Sequence, residues 1–189
     1  MKITPVLFGL LCSGSAFAGA EVGLATGWNS VKPVVEGVDD IEANTGFGFG
    51  LRTAMAMDSG VAPELLVTQY RTSTEIVEGL SLTTKQLNIG VGARYNIGDG
   101  DTKPFAGAHF NYAMDMKAGV KSDDVESEDV VAENTGGMGY DAFGGVQIGI
   151  GDSMYVDVLA SYGQKLGNED EGVAKLSIMT AGVGFGMKF

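Results

Sequence analysis

The sequence predicts an all-β chain, an eight-stranded antiparallel up-and-down transmembrane β-barrel, and three observations carry that prediction. The first is the stretch Ser177–Phe189. Met179, Ala181, Val183, Phe185, Met187 and Phe189 fall on one face of a strand, and Thr180, Gly182, Gly184, Gly186 and Lys188 on the other. A soluble half-buried strand turns its bulk inward. Here the glycines would line a cramped interior while the large apolar groups face an apolar surround. The second observation is that eight such stretches follow one another, joined by connections that alternate short and long. The third is that aromatic residues collect near the strand ends.

Taken in order, the chain begins with a segment that reads as a secretory signal. Lys2 supplies the charge, Ile3 to Leu11 a short apolar core, and Ala16-Phe17-Ala18 an A-x-A cleavage site. The apolar run is shorter than the roughly 20 residues of a membrane-spanning helix. Cys12 follows Leu10 and Leu11 and so lacks the small residue that precedes a lipid-modified cysteine. Residues 1–18 are therefore expected to leave, and residues 19–189 to form one barrel domain. Lys2 leaves with the signal and no acid does. Eleven basic residues then face 24 acidic ones, and the net charge moves from −12 to −13. Such acidity excludes nucleic acid as a partner, because phosphate binding needs a basic patch. Cys12, the single cysteine, leaves as well, so stability is expected from closure and packing without a disulfide.

The eight expected strands are Ala20–Asn29, Thr45–Met57, Val61–Arg71, Leu82–Ile97, Lys103–Met114, Gly139–Ile150, Ser153–Tyr162 and Val173–Phe189. Short connections at Asp58-Ser59-Gly60, Gly98 to Thr102 and Gly151-Asp152 have turn chemistry. Long ones are expected at Ser30–Asn44, Thr72–Ser81, Lys117–Met138 and Gly163–Gly172. Parity within the strands gives an independent check. In the second, Phe47, Phe49, Leu51 and Met55 oppose Gly48, Gly50, Arg52 and Ala54; in the fourth, Leu87 through Ile97 oppose Gln86 through Asn96. The fifth and seventh repeat the pattern, with His109 and Asp157 on the polar face. Leu65-Leu66-Val67 blurs the phase of the third strand, where Glu64 is assigned inward. The glycines recur at alternate positions, as Gly46, Gly48, Gly50 or Gly182, Gly184, Gly186 do, which suits a narrow lumen.

Alternate strands running up and down put Trp28, Phe47, Tyr112, Tyr140 and Tyr162 at one rim and Tyr95, Phe185 and Phe189 at the other. Two aromatic girdles around an aliphatic band are what membrane interfaces favour, and a soluble barrel has no use for them.

The terminal Phe and the alternation leading to it resemble the closing strand of small Gram-negative outer-membrane barrels, the OmpA/OmpX-type and opacity-type family. The resemblance implies that Phe185, Met187 and Phe189 form the signal read by the barrel-assembly machinery during insertion. It implies a place in the outer membrane among lipids and lipopolysaccharide, with no cofactor. It also implies a structural or surface-interaction role, in adhesion or envelope integrity, toward a host or cell-surface ligand. No peptidoglycan-binding domain is expected after the barrel, unlike in full-length OmpA-type chains.

Candidate chemistry is sparse. His109 is the only histidine, and Asn111 stands where outer-membrane lipid A deacylases of similar size carry the serine of a His-x-Ser pair. No nucleophile–base pair and no zinc ligand set is expected, so the chain is not expected to be an enzyme. Arg52, Glu64, Arg94, His109, Asp141, Asp157 and Lys188 form an inward ionisable set. Its functional reading is a narrow gated channel for small solutes; its structural reading is a salt-bridge core that plugs the lumen. Asp123, Asp124, Glu126, Glu128 and Asp129 crowd the connection Lys117–Met138. Their spacing lacks the glycine-centred loop of an EF-hand, so a solvated, extended acidic surface loop is expected and no metal site.

Overall fold

The computed structural model describes residues 19–34, 43–77, 80–122, 125–134, 137–165 and 175–189. The expected signal segment, Met1–Ala18, lies outside them, as do Asp123 and Asp124. Nine strands are present: β1 Ala20–Val34, β2 Asn44–Met55, β3 Val61–Val77, β4 Leu80–Asn96, β5 Thr102–Ser122, β6 Val125–Asn134, β7 Met138–Ile150, β8 Met154–Lys165 and β9 Lys175–Lys188. Eight of them close a barrel in the order β1-β2-β3-β4-β5-β7-β8-β9, every pair antiparallel, with β9 returning to β1. The seam is extended by backbone bonds from Gly19 N–H to Phe189 C=O (2.9 Å) and from Phe189 N–H to Ala20 C=O (2.9 Å). A closed cylinder leaves no barrel strand with an unpaired edge, which a hydrocarbon surround requires.

The turn end of the barrel matches its expected chemistry. Gly60, Gly98 and Gly151 take φ of 82°, 83° and 65° in the three short connections, a region that L side chains avoid. The loop end differs from expectation. β3 and β4 continue to Val77 and Leu80, so the stretch expected as the loop Thr72–Ser81 is a paired hairpin. Lys117–Met138 is likewise not an open loop. β5 runs on to Ser122, and β6 pairs back onto it from Met116↔Asn134 to Ser122↔Val125. Glu126, Glu128 and Asp129 therefore lie in a strand. The reason is that backbone pairing in a hairpin is indifferent to side-chain polarity, and beyond the membrane nothing requires one face to be apolar.

The alternation is inside-out relative to a soluble protein. Phe110 is 76% and Phe47 71% exposed on the outer face, whereas Arg94, Gln147 and Asp157 are each 1% exposed in the lumen. The third strand resolves with Ala62 and Glu64 buried and Val61 and Pro63 outward. Leu51 faces outward yet is shielded, because Leu24 and Val67 flank it in register on the neighbouring strands. Inside, bulky groups rest on glycines of the adjacent strand. A Cβ on Gly186 would lie 2.2 Å from Tyr155 Cζ, and one on Gly107 would lie 2.4 Å from Phe143 Cζ. The alternating glycines thus set the lumen's width.

Candidate functional site

Every barrel strand sends an ionisable side chain into one buried layer: Glu21 from β1, Arg52 from β2, Glu64 from β3, Arg94 from β4, His109 from β5, Asp141 from β7, Asp157 from β8 and Lys188 from β9. Glu64 is its hub. Its Oε1 lies 3.6 Å from Arg52 Nε and 3.4 Å from Arg94 Nε, and its Oε2 lies 3.0 Å from His109 Nε2. Arg52 also pairs with Asp157 and Arg94 with Glu21, both through short contacts, while Gln147 Nε2 donates to Glu21 Oε2 at 3.4 Å. His109 Nδ1 meets Asp141 Oδ1 at 3.0 Å. Both ring nitrogens of His109 thus face carboxylates, an arrangement that the doubly protonated imidazolium satisfies with two donors.

Aromatic rings brace the layer. His109 stacks on Phe143 with centroids 4.4 Å apart and planes 10° apart. The Arg94 guanidinium lies 5.5 Å from the Phe105 ring centroid, and Arg52 lies 5.8 Å from that of Tyr155. Lys188 Nζ joins the set through the same Tyr155 ring, at 5.5 Å, rather than through a carboxylate. Four acids and four bases therefore line the lumen at this level, and the seven charged groups other than Lys188 are joined in ion pairs through Glu64, Arg52 and Arg94 or through His109.

Above this layer, toward the loop end, lies a cavity of about 80 Å³ with His109, Asp141 and Glu64 in its floor and Leu66, Tyr70 and Leu159 in its wall. A water needs about 10–15 Å³ of such volume, so the chamber has room for several. A smaller cavity of about 30 Å³ shares Tyr70, Asp141, Ser161 and Thr180 and lies farther toward the loops. No group of three or more potential metal ligands occurs among the described residues.

The structure brings six of the seven expected inward residues into direct ion-pair contact and sets Lys188 beside them. Sequence reasoning missed Glu21 and Gln147; parity in the seventh strand sets Tyr155 inward beside Asp157, but without a part in the charge layer. For Glu21 the signal was available: Glu21, Gly23, Ala25, Gly27 and Asn29 alternate with Val22, Leu24, Thr26 and Trp28. The aromatic residues Trp28, Phe47, Tyr95, Tyr112, Tyr140 and Tyr162 all stand on the outer face, between 43% and 71% exposed. Phe185, Met187 and Phe189 share that face along the closing strand. Of the acidic cluster, Glu126, Glu128 and Asp129 lie on β6, which extends past the barrel.

Comparison with known proteins agrees with this architecture. No curated protein sequence matches the chain. Among solved structures, the Neisserial surface protein A (NspA) superposes with a TM-score of 0.69 at 16% identity, over 91% of this chain and 98% of that one. Ail, the attachment invasion locus protein of Yersinia pestis, gives 0.54 at 14% identity, over 90% and 99%. The N-terminal β-barrel domain of Pseudomonas aeruginosa OprF gives 0.51 at 13% identity, over 91% and 98%. At such identities the likeness is one of fold. The model of the outer membrane protein β-barrel domain matches residues 4–189, and with nearly the whole sequence inside that match, the chain belongs to the outer membrane protein β-barrel domain family.

Proposed function

We propose that this barrel is a non-enzymatic surface-interaction protein of the Gram-negative outer membrane, acting in adhesion or envelope integrity. In this reading residues 1–18 are a signal peptide, the turn end is periplasmic, and the loop end faces outward. Phe185, Met187 and Phe189 serve the barrel-assembly machinery during insertion. Lipids and lipopolysaccharide surround the finished cylinder.

One observation carries the reading. The β3–β4 and β5–β6 hairpins run well past the girdle, and the second bears the acids Glu126, Glu128, Asp129 and Glu133. Strands that continue beyond the membrane have no role in anchoring, and they offer an ordered backbone to a ligand at the cell surface. NspA and Ail, named as a surface protein and an attachment protein, are barrels of the same fold and support this choice. The buried charge layer weighs against a solute channel, since Arg94 and Asp157 are 1% exposed and held by partners.

Adhesion of cells carrying wild-type, hairpin-shortened and charge-neutralised barrels tests the proposal. Equal adhesion in all three removes it. Steady single-channel conductance of the purified wild-type protein would replace it with the channel reading.

A further inference from the structure

Two pairs of glycines face each other across the seam between β1 and β9, and the lumen treats them differently. Gly23 stands opposite Gly186, and Gly27 opposite Gly182. A ring covers the first pair: a Cβ on Gly23 would lie 2.8 Å from the Tyr155 hydroxyl. At the second pair, the three atoms nearest each added Cβ are all backbone, from 2.7 Å outward. The lumen therefore widens above the charge layer, and the chamber of about 80 Å³ lies there, with Gly27 and Gly182 in its wall. The charge layer closes it toward the turns, and the smaller cavity continues it toward the loops. It is a pocket, not a passage.

The wall carries neutral groups with hydrogen-bonding capacity to spare. Ser161 Oγ has no hydrogen-bond partner among the described residues, and Ser161 lines both cavities. Thr180 Oγ1 donates to Asn29 Oδ1 at 2.7 Å, and Asn29 Nδ2 donates to the Gly27 carbonyl at 3.3 Å. That leaves the second amide N–H of Asn29 and the lone pairs of Thr180. Asp141 meets His109 Nδ1 through Oδ1 at 3.0 Å and Oδ2 at 3.4 Å, whereas a carboxylate has about four acceptor positions. Leu66 and Leu159 add apolar surface beside these groups.

This set selects a class of ligand. Four acids and four bases already balance in the floor, so a bound ion of either sign would bring an unpaired charge into a buried space. An ammonium only donates and a carboxylate only accepts. A hydroxyl does both, which suits a wall that mixes donors and acceptors. The volume holds about five to eight waters, and a three-carbon polyol takes the place of about four. We propose that the chamber binds a small neutral polyol, either free or as the terminal unit of a surface glycan. Its hydroxyls meet Ser161, Asp141, Thr180 and Asn29, and its C–H groups meet Leu66 and Leu159. This site goes beyond the surface role of the hairpins and does not depend on it.

The test is methyl NMR of the leucine-labelled barrel, refolded in an amine-oxide detergent that carries no hydroxyl groups. Glycerol and methyl glucoside are the probes, and ethylammonium chloride is the charged comparison. A saturable shift of the Leu66 and Leu159 methyls is expected with at least one polyol, and none with ethylammonium. A response to glycerol alone identifies a free polyol, and a response to methyl glucoside identifies a terminal sugar. Ser161→Ala should weaken binding about fivefold, the loss of one neutral hydrogen bond. Ser153→Ala, in the turn before β8, should bind as wild type does. Ser161→Leu should abolish binding by filling the chamber; should it lose heat-modifiable mobility, Ser161→Ala decides alone. No saturable shift with either polyol means that the chamber takes up water only, and overturns the proposal. Preferential binding of ethylammonium overturns it as well, as does undiminished binding by Ser161→Ala.

Discussion

Replacing Arg94 with leucine is the sharpest probe of the lumen. The Arg94 side chain is wholly buried, pairs with Glu21 and Glu64, and lies 5.5 Å from the Phe105 ring centroid. Its loss affects the two acids unequally. Glu64 keeps Arg52 and His109, but Glu21 is left with the amide of Gln147 at 3.4 Å. An uncompensated buried charge costs about 3–5 kcal/mol. With a urea dependence of about 2 kcal/mol per molar, the unfolding midpoint should fall by about 2 M. Trp28, the single tryptophan, sits on the outer face and reports the transition by its emission. The double variant Glu21→Leu, Arg94→Leu removes both charges together and should recover much of the loss, because the penalty belongs to the orphaned carboxylate. A midpoint unchanged in Arg94→Leu, with conductance raised, would refute the view that these charges hold the barrel shut.

Four further outcomes are expected. Phe189→Asp should lower the amount of barrel reaching the outer membrane more than an equivalent change in β6 does, measured by fractionation; normal abundance would remove the assembly role. Gly186→Ala should reduce the heat-modifiable fraction, since its Cβ would meet Tyr155 Cζ at 2.2 Å and overpacking costs about 1–3 kcal/mol; adding Tyr155→Leu should restore part of it. Replacing the β5–β6 hairpin with a glycine-containing turn should leave heat-modifiable mobility intact, because β5 retains β4 and β7 as partners. Neutralising Asp123, Asp124, Glu126, Glu128 and Asp129 should alter the salt dependence of cell-surface adhesion, compared at low and physiological salt, through a screened field.

Legibility of the fold ran out at the membrane's edge. Between the girdles, lipid forces alternation, so Phe47, Phe49 and Leu51 or Val183, Phe185 and Met187 could be assigned from sequence. Beyond the girdles that constraint is gone, and in Val125–Asn134 the acids Glu126, Glu128, Asp129 and Glu133 occupy both even and odd positions of the sequence. Only its register with β5, a property of the whole chain, makes it a strand. The charge layer was readable as inward residues but not as a network. Nothing local to Glu64 says that it meets Arg52, Arg94 and His109, from three different strands. Glu21 was missed for a different reason. It stands beside the expected cleavage site, where attention falls on processing rather than on parity.

The seam between β1 and β9 has a kinetic consequence. Each neighbouring hairpin joins residues close in sequence, but the seam joins positions 141 to 167 apart, Val34 with Lys175 and Glu21 with Lys188. Long-range pairings are slow, because the chain between them must be gathered before they return any stabilisation. Until the seam closes, the sheet is an open curl whose first and last strands each present a bare row of N–H and C=O groups. Such edges are templates for pairing with other chains. The interval before closure is therefore the vulnerable stage of this protein's existence, and it lasts until the final strand has arrived. Anything that shelters those two edges during that interval decides how much of the chain becomes a barrel and how much aggregates.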